Sequence, residues 1–351
     1  MESAPHILLL KSRVTVYVRM SERKSIVVIG GGTGIYPVLR GLKRYKDIDV
    51  TAVITMADSG GSTGRLRDEF GQLPVGDVRM ALAALSADVD NHDELLRELF
   101  LYRFDKGEGL NGHNLGNLLL VALTDMLGSE LEAVKVAARI LRVRGTVLPV
   151  TEDKVHIVAT YDDGIEIEGE HHIDEPEEER FTHHITNLRT EPRAVINPDV
   201  QRAIENADMV VLGPGDLYTS LIANCVVEGI PEAIQASKAP FVFVTNLMTS
   251  QGQTYGMTAK DHADEVLKYV GRPPDTVLVN TGIVSESLLK RYADAFQFPV
   301  VDDADHIACT IVRADLLDDA EVIQKKGDIL QRSLVRGDAK KMGTAIYNLL
   351  Q

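Results

Sequence analysis

Cysteine is almost missing from this chain: Cys225 and Cys309 are the two present, 84 positions apart. That excludes a disulfide framework and a zinc ligand set, and it suits a reducing cytoplasm. Positive charge is short as well, with 37 Lys+Arg against 52 Asp+Glu and a formal net charge of -15. Such a chain repels a phosphate backbone unless its bases gather in one patch, so no nucleic-acid partner is expected. Long apolar runs are lacking too. Nothing approaches the ~20 residues of a membrane span, and the longest candidate, 118–123, sits inside a helical pattern, so no membrane insertion is expected. Residues 1–19 carry Lys11, Arg13 and Arg19 among apolar residues, without an uninterrupted apolar segment and a small-residue cleavage site. They are not read as a signal peptide. Because Met20 stands just before the first strong strand, residues 1–24 are expected to be a dispensable extension. Gly-Lys-Ser/Thr and His-Glu-x-x-His are both absent, which removes P-loop NTPases and the zinc-binding helix.

What is present is a globular composition, 44% hydrophobic and 25% charged over 351 residues, enough for two domains or one large α/β domain with an insertion. The run 26–29 is β-branched, 33–45 has helical spacing and 50–56 is β-branched again, a βαβ unit whose strands must be parallel. Helical patterns follow at 77–86, 93–102, 115–127 and 130–141. Over 151–180 the character changes: twelve acids meet two bases, and 155–161 and 165–172 read as strands joined by Asp163-Gly164. The plain expectation is a solvated antiparallel hairpin on the sheet edge, its charges discouraging pairing between molecules. Strands then return at 209–212, 241–244 and 276–280, with helices at 262–270 and 285–295. The expected fold is a Rossmann-like, doubly wound, mostly parallel α/β sheet over 25–325, with a helical block at 77–144, an acidic hairpin excursion at 151–180 and a C-terminal helix in 326–351.

Polar, glycine-rich loops recur where strands end. Gly30-Gly31-Gly32-Thr33-Gly34 joins a strand to a helix start, where backbone N–H groups and the helix dipole favour an anion, although a tight structural turn would look the same. The third glycine of a dinucleotide fingerprint should fall at Ile35, which weakens an NAD reading. Asp58-Ser59-Gly60-Gly61-Ser62-Thr63-Gly64-Arg65-Leu66-Arg67 ends the second strand, and in an open α/β sheet it should face the same crevice. Arg65, following small and hydroxyl residues, is expected to turn its guanidinium back over the crevice. Asp77 reads as a helix cap. His113 and Asn117, four apart with Asn114 between, suit ligand contact or an internal network. Gly213-Pro214-Gly215-Asp216, with Thr219 behind it, is another anion-ready turn, and Asn246 ends a further strand.

In this order GGGTG, ADSGGSTGRLR, LPVGDVR, GHNLGNLLLVAL, LGPGDLYTS and TNLMT resemble the bacterial gluconeogenesis factors, the YvcK-like branch of the CofD superfamily. The likeness runs from about Ser25 to the Leu288 region. It implies a nucleotide crevice, binding of UDP-sugars and UDP-N-acetylglucosamine above all, and control of carbon flux, cell wall and cell shape. Members commonly read Ala-Asp-Asp-Gly-Gly where this chain has Ala57-Asp58-Ser59-Gly60-Gly61. In the related 2-phospho-lactate transferases acids of this loop serve a metal-dependent transfer, and Ser59 is a poorer ligand than Asp for a hard cation.

The reading is therefore a cytoplasmic nucleotide-sugar-binding regulator that requires no cofactor. Phosphates would sit on Gly31, Gly32, Thr33 and Gly34 and on Gly213, Pro214 and Gly215. Asp58, Ser59, Gly60, Gly61, Ser62, Arg65, Asp216 and Thr219 would line the crevice, and His113, Asn114, Asn117 and Asn246 would bond sugar or base. No catalytic or metal-binding residue is assigned, and self-association is left open. The alternative is a transferase using a nucleoside-diphosphate donor and Mg²⁺ near Asp58 and Asp216.

Overall fold

The computed structural model describes residues 23–31, 33–71, 73–318 and 335–351. The extension proposed for residues 1–24 therefore lies almost wholly outside the described residues. The first strand, β1 (Lys24–Gly30), is buried from Ile26 onward, and helix α1 (Ile35–Leu42) leads to β2 (Ile48–Ile54), parallel to β1 in the register Ile26↔Val50. Ile26, Val27, Val28 and Ile29 are all fully buried, because a central parallel strand is covered on both faces and reads as a continuous apolar run.

Helices α2 (Gly61–Phe70), α3 (Gly76–Leu85), α4 (Asn91–Leu101), α5 (Leu115–Leu127) and α6 (Glu130–Ile140) come next, then β3 (Thr146–Pro149) pairs with β2. Both α2 and β3 escape the sequence reading. The buried face of α2 is Ser62, Thr63, Gly64 and Leu66, so a polar face replaces the apolar stripe that marks a helix. β3 is four residues long and ends in proline at the sheet edge.

The excursion is larger than a hairpin. β4 (His156–Tyr161) lies between β5 (Glu166–Glu168) and β6 (Ile185–Glu191), both antiparallel to it. The strand expected over 165–172 stops at Glu168: Gly169, at φ +93°, turns the chain into the short helix α7 (Glu170–Asp174). Nor is the sheet solvated on both sides, since Ile157, Ala159, Tyr161, Ile173 and Leu188 belong to the main core.

The chain then returns to the large sheet through helix Pro198–Glu205 with β7 (Met209–Leu212), β8 (Phe241–Val244), β9 (Thr276–Asn280) and β10 (Thr310–Ala314). Among the described residues this sheet runs β10-β9-β8-β7-β1-β2-β3, all parallel. The order reverses between β1 and β7, which opens a crevice at their carboxyl ends. The C-terminal helix Ala339–Leu349 packs on α1 so closely that Gly41 and Gly343 meet backbone to backbone; a Cβ on Gly343 would stand 2.6 Å from the Gly41 Cα. Tyr45 stacks on Tyr347 at 3.8 Å across the same joint. No helix among the described residues is long and apolar enough to cross a membrane.

Candidate functional site: a crevice between glycine loops and an acidic wall

The loops after β1 and β7 touch. A Cβ on Gly34 would stand 2.5 Å from the Gly215 Cα and 2.6 Å from the Pro214 carbonyl oxygen, so only glycine permits this approach. Gly213, at φ +89°, makes the turn that brings Pro214 and Gly215 there. Below them the amide of Asn224, fully buried, donates to the Gly30 carbonyl at 3.2 Å and to that of Ser220 at 2.7 Å, tying the π-helical turn Leu217–Ile222 to the end of β1. Thr33 is exposed beside Gly34, and Gly32 lies outside the described residues. Gly31 is packed against a carboxylate: its Cβ would meet Asp77 Oδ2 and Thr55 Cγ2, each at 2.5 Å. Asp77, expected to be only a cap, stands in the first turn of α3, where Val75 is the N-cap.

The loop after β2 is organised around carboxylates. Asp58 accepts from the Gly60 N–H at 3.0 Å, and the Ser59 N–H donates to Glu170 Oε2 at 3.1 Å. Ser59 Oγ in turn accepts from the His171 N–H at 3.0 Å. Gly61, at φ +48°, begins α2 with open space around it. Two amides of this loop thus serve the protein's own acids.

His113, Asn114 and Asn117 form an internal network. Ser62 Oγ stands 3.2 Å from His113 Nδ1, 3.3 Å from Asn117 Nδ2 and 3.4 Å from the Asn114 N–H. Asn117 Oδ1 accepts from Arg79 Nε at 2.8 Å. Asn114 caps α5 by accepting from the Gly116 N–H at 2.9 Å while its amide donates to the Leu101 carbonyl. All three are buried, and burial lowers the pKa of His113, with Arg65 acting in the same direction. The network holds α2 against α5.

Arg65 stands on a helix and not on an extended segment. Residues 61–70 are helical, which sets Arg65 on the exposed face of α2, where Nη2 donates to the Asn111 carbonyl at 3.2 Å. Arg67 lies nearer the acids: with Arg79 it lowers the pKa of Asp58, and its Nη2 is 2.7 Å from His156 Nδ1.

The crevice is also acidic, with Glu170 and Asp174 coming from the excursion and Asp58, Asp77 and Asp216 from the large sheet's own loops and helix starts. Burial, with Asp174, Asp58 and Asp77 adding to it, pushes the Glu170 carboxyl up to about 10. Asp174 is pushed up to about 7 by burial and by Asp216. Asp58 and Asp216 also rise through burial, Asp58 against the Gly60 amide and the Thr63 hydroxyl, Asp216 against the Ser250 hydroxyl. Asp174 Oδ1 accepts from Thr219 Oγ1 at 2.7 Å and from Gln253 Nε2 at 2.8 Å, and Ser250 Oγ donates to Asp216 Oδ1 at 3.3 Å. Five carboxylates, Asp58, Asp77, Glu170, Asp174 and Asp216, therefore line one crevice. Such an all-oxygen set fits a hard divalent cation. Asp162, Asp163 and His183 form a compact group elsewhere, at the exposed hairpin turn, where Arg180 already pairs with Asp163 at 3.0 Å.

Asn246 borders a separate hollow of about 230 Å³ at the ends of β8 and β9, beside Leu247, Ile283, Val284, Pro299 and Val300. It is buried, and its Oδ1 has no partner among the described residues. Glu170, Asp174, Asn224 and Gln253 were not anticipated from sequence. The two acids are hidden in a run of twelve, and the two amides stand in segments without a motif.

Residues 26–317 match the family described as 2-phospho-L-lactate transferase CofD. A protein of Thermotoga maritima is 40% identical over 92% of this chain and 98% of its own. The gluconeogenesis factor of Bacillus subtilis is 36% identical over 95% of this chain and all of its own. The crystal structure of a Bacillus halodurans protein, 35% identical, superposes with a TM-score of 0.82 over 93% of this chain and 99% of that one. Fold, motif order and near full-length identity agree: the chain belongs to the gluconeogenesis factor family, within the CofD-like superfamily.

Proposed function

We propose that this chain binds a nucleoside-diphosphate sugar, with UDP-N-acetylglucosamine the leading candidate, and couples that binding in the cytoplasm to gluconeogenic carbon metabolism. The observation that carries the reading is the contact of Gly34 with Pro214 and Gly215 where the strand order reverses. Two glycine turns with no room for side chains bring backbone within reach of a diphosphate, next to the start of α1. The metabolic role is supported by the name of the Bacillus subtilis relative. A further role in cell wall and cell shape rests on the family resemblance alone.

Thermal unfolding with UDP-N-acetylglucosamine, GDP and NAD is the test. At ~100-fold over its dissociation constant a ligand stabilises by about 2.7 kcal/mol, which a melt resolves. The expected result is a shift with the UDP-sugar; a shift with GDP or NAD and none with any UDP-sugar would sink the reading.

The acidic wall favours one alternative, a metal-dependent transferase acting on a nucleoside-diphosphate donor. Mass analysis after incubation with nucleotide sugar and Mg²⁺ separates the two. An intact ligand supports the regulator, and a product that disappears in Asp58→Ala supports the enzyme.

A further inference from the structure

We propose that α7 is the core of a cation site, in which Glu170 and Asp174 together hold one hard divalent ion, Mg²⁺ or Mn²⁺. The two residues are four apart on one helical face, and their side chains meet. Their orientation is fixed from outside the helix. Two donors from separate segments, Thr219 Oγ1 in the π-helical turn after β7 and Gln253 Nε2 in the loop after β8, converge on the same oxygen, Asp174 Oδ1. Glu170 Oε2 is held by the Ser59 N–H from a third loop.

Gln253 supplies the independent sign of a ligand. It is 2% exposed, its nitrogen is committed to Asp174, and its Oε1 has no partner among the described residues. An amide fixed by that nitrogen keeps its oxygen beside the carboxylate pair, and a buried acceptor without a donor is unfavourable unless something cationic or protic reaches it. No lysine or arginine forms an ion pair with Glu170 or Asp174 among the described residues, while Asp58, Asp77 and Asp216 add charge of the same sign. One or two carboxylates, neutral oxygens and water are the donors Mg²⁺ ordinarily takes, so the pair needs no third acid. The site stands whether or not a nucleotide binds.

Calorimetric titration of the full chain with MnCl₂ in near-physiological salt, without nucleotide, tests it, with Mg²⁺ as competitor. One saturable Mn²⁺ per chain is expected, displaced by Mg²⁺. Glu170→Gln and Asp174→Asn, each checked for its fold by circular dichroism, should each weaken binding ten-fold or more. Either variant suffices if the other fails to fold. Absence of saturable binding to the wild-type chain overturns the proposal. So does binding that survives in the folded α7 variants, and loss in Asp58→Asn or Asp162→Asn instead would place the ion elsewhere.

Discussion

On one side of the crevice Gly34 and Gly215 meet with no side chain between them; on the other, Glu170 and Asp174 crowd two buried carboxyl groups together. The first wall belongs to the parallel sheet and is shaped by the need to omit atoms. The second belongs to the antiparallel excursion and is shaped by hydrogen bonds reaching in from Ser59, Thr219 and Gln253. A wall built by omission tolerates almost no change, whereas a wall built from carboxylates responds to protons and cations.

The largest expected effect is at the glycine contact. Gly34→Ala drives a methyl into the backbone of Pro214 and Gly215, and overpacking of this kind typically costs about 1–3 kcal/mol. A stability loss at the upper end of that range or beyond, together with loss of nucleotide binding, is expected from urea unfolding and calorimetry. A neutral variant would mean that the two turns are not in contact.

The acidic wall should answer to pH. Glu170 and Asp174 hold protons more tightly folded than unfolded, their values being about 10 and about 7 against ordinary values of 4.5 and 3.8. The folded state therefore binds more protons between those limits, so this pair makes stability fall as pH rises from the ordinary carboxylate range through about 7 and on toward about 10. Urea midpoints in metal-free buffer should drop across this window and drop less in Glu170→Gln. Equal slopes in the two proteins would show that Glu170 is an ordinary acid.

The smallest effect sharpens the comparison from outside it. Arg65 is exposed and bonded to one loop carbonyl, so Arg65→Ala should change stability by no more than about 0.5 kcal/mol and leave nucleotide affinity unchanged. Arg67→Ala should cost more, because Arg67 is partly buried against His156 and faces Asp58 electrostatically. A larger loss of affinity at Arg65 would place it at the crevice.

Legibility follows the same division. Buried parallel strands such as β1 and β7 announce themselves as apolar runs, and Gly31, Gly34 and Gly215 announce themselves because only glycine fits. The mixed chemistry of α2 hid its helix, and with it the backbone on which Arg65 stands. His113, Asn114 and Asn117 were visible as a polar patch at a helix start, yet Ser62 and Arg79, which occupy them, lie far away in sequence. Glu170 and Asp174 could not be told from ten neighbouring acids, because what distinguishes them is the distant Ser59, Thr219 and Gln253 that hold them.

The joint between α1 and the helix Ala339–Leu349 sets an order of events. The glycine turn opening α1 is synthesised long before the residues that brace the end of its unit, such as Thr344, 299 positions after its partner Tyr45. During translation the crevice must wait for that brace. The first βα unit is thus begun about 300 positions before its brace is made.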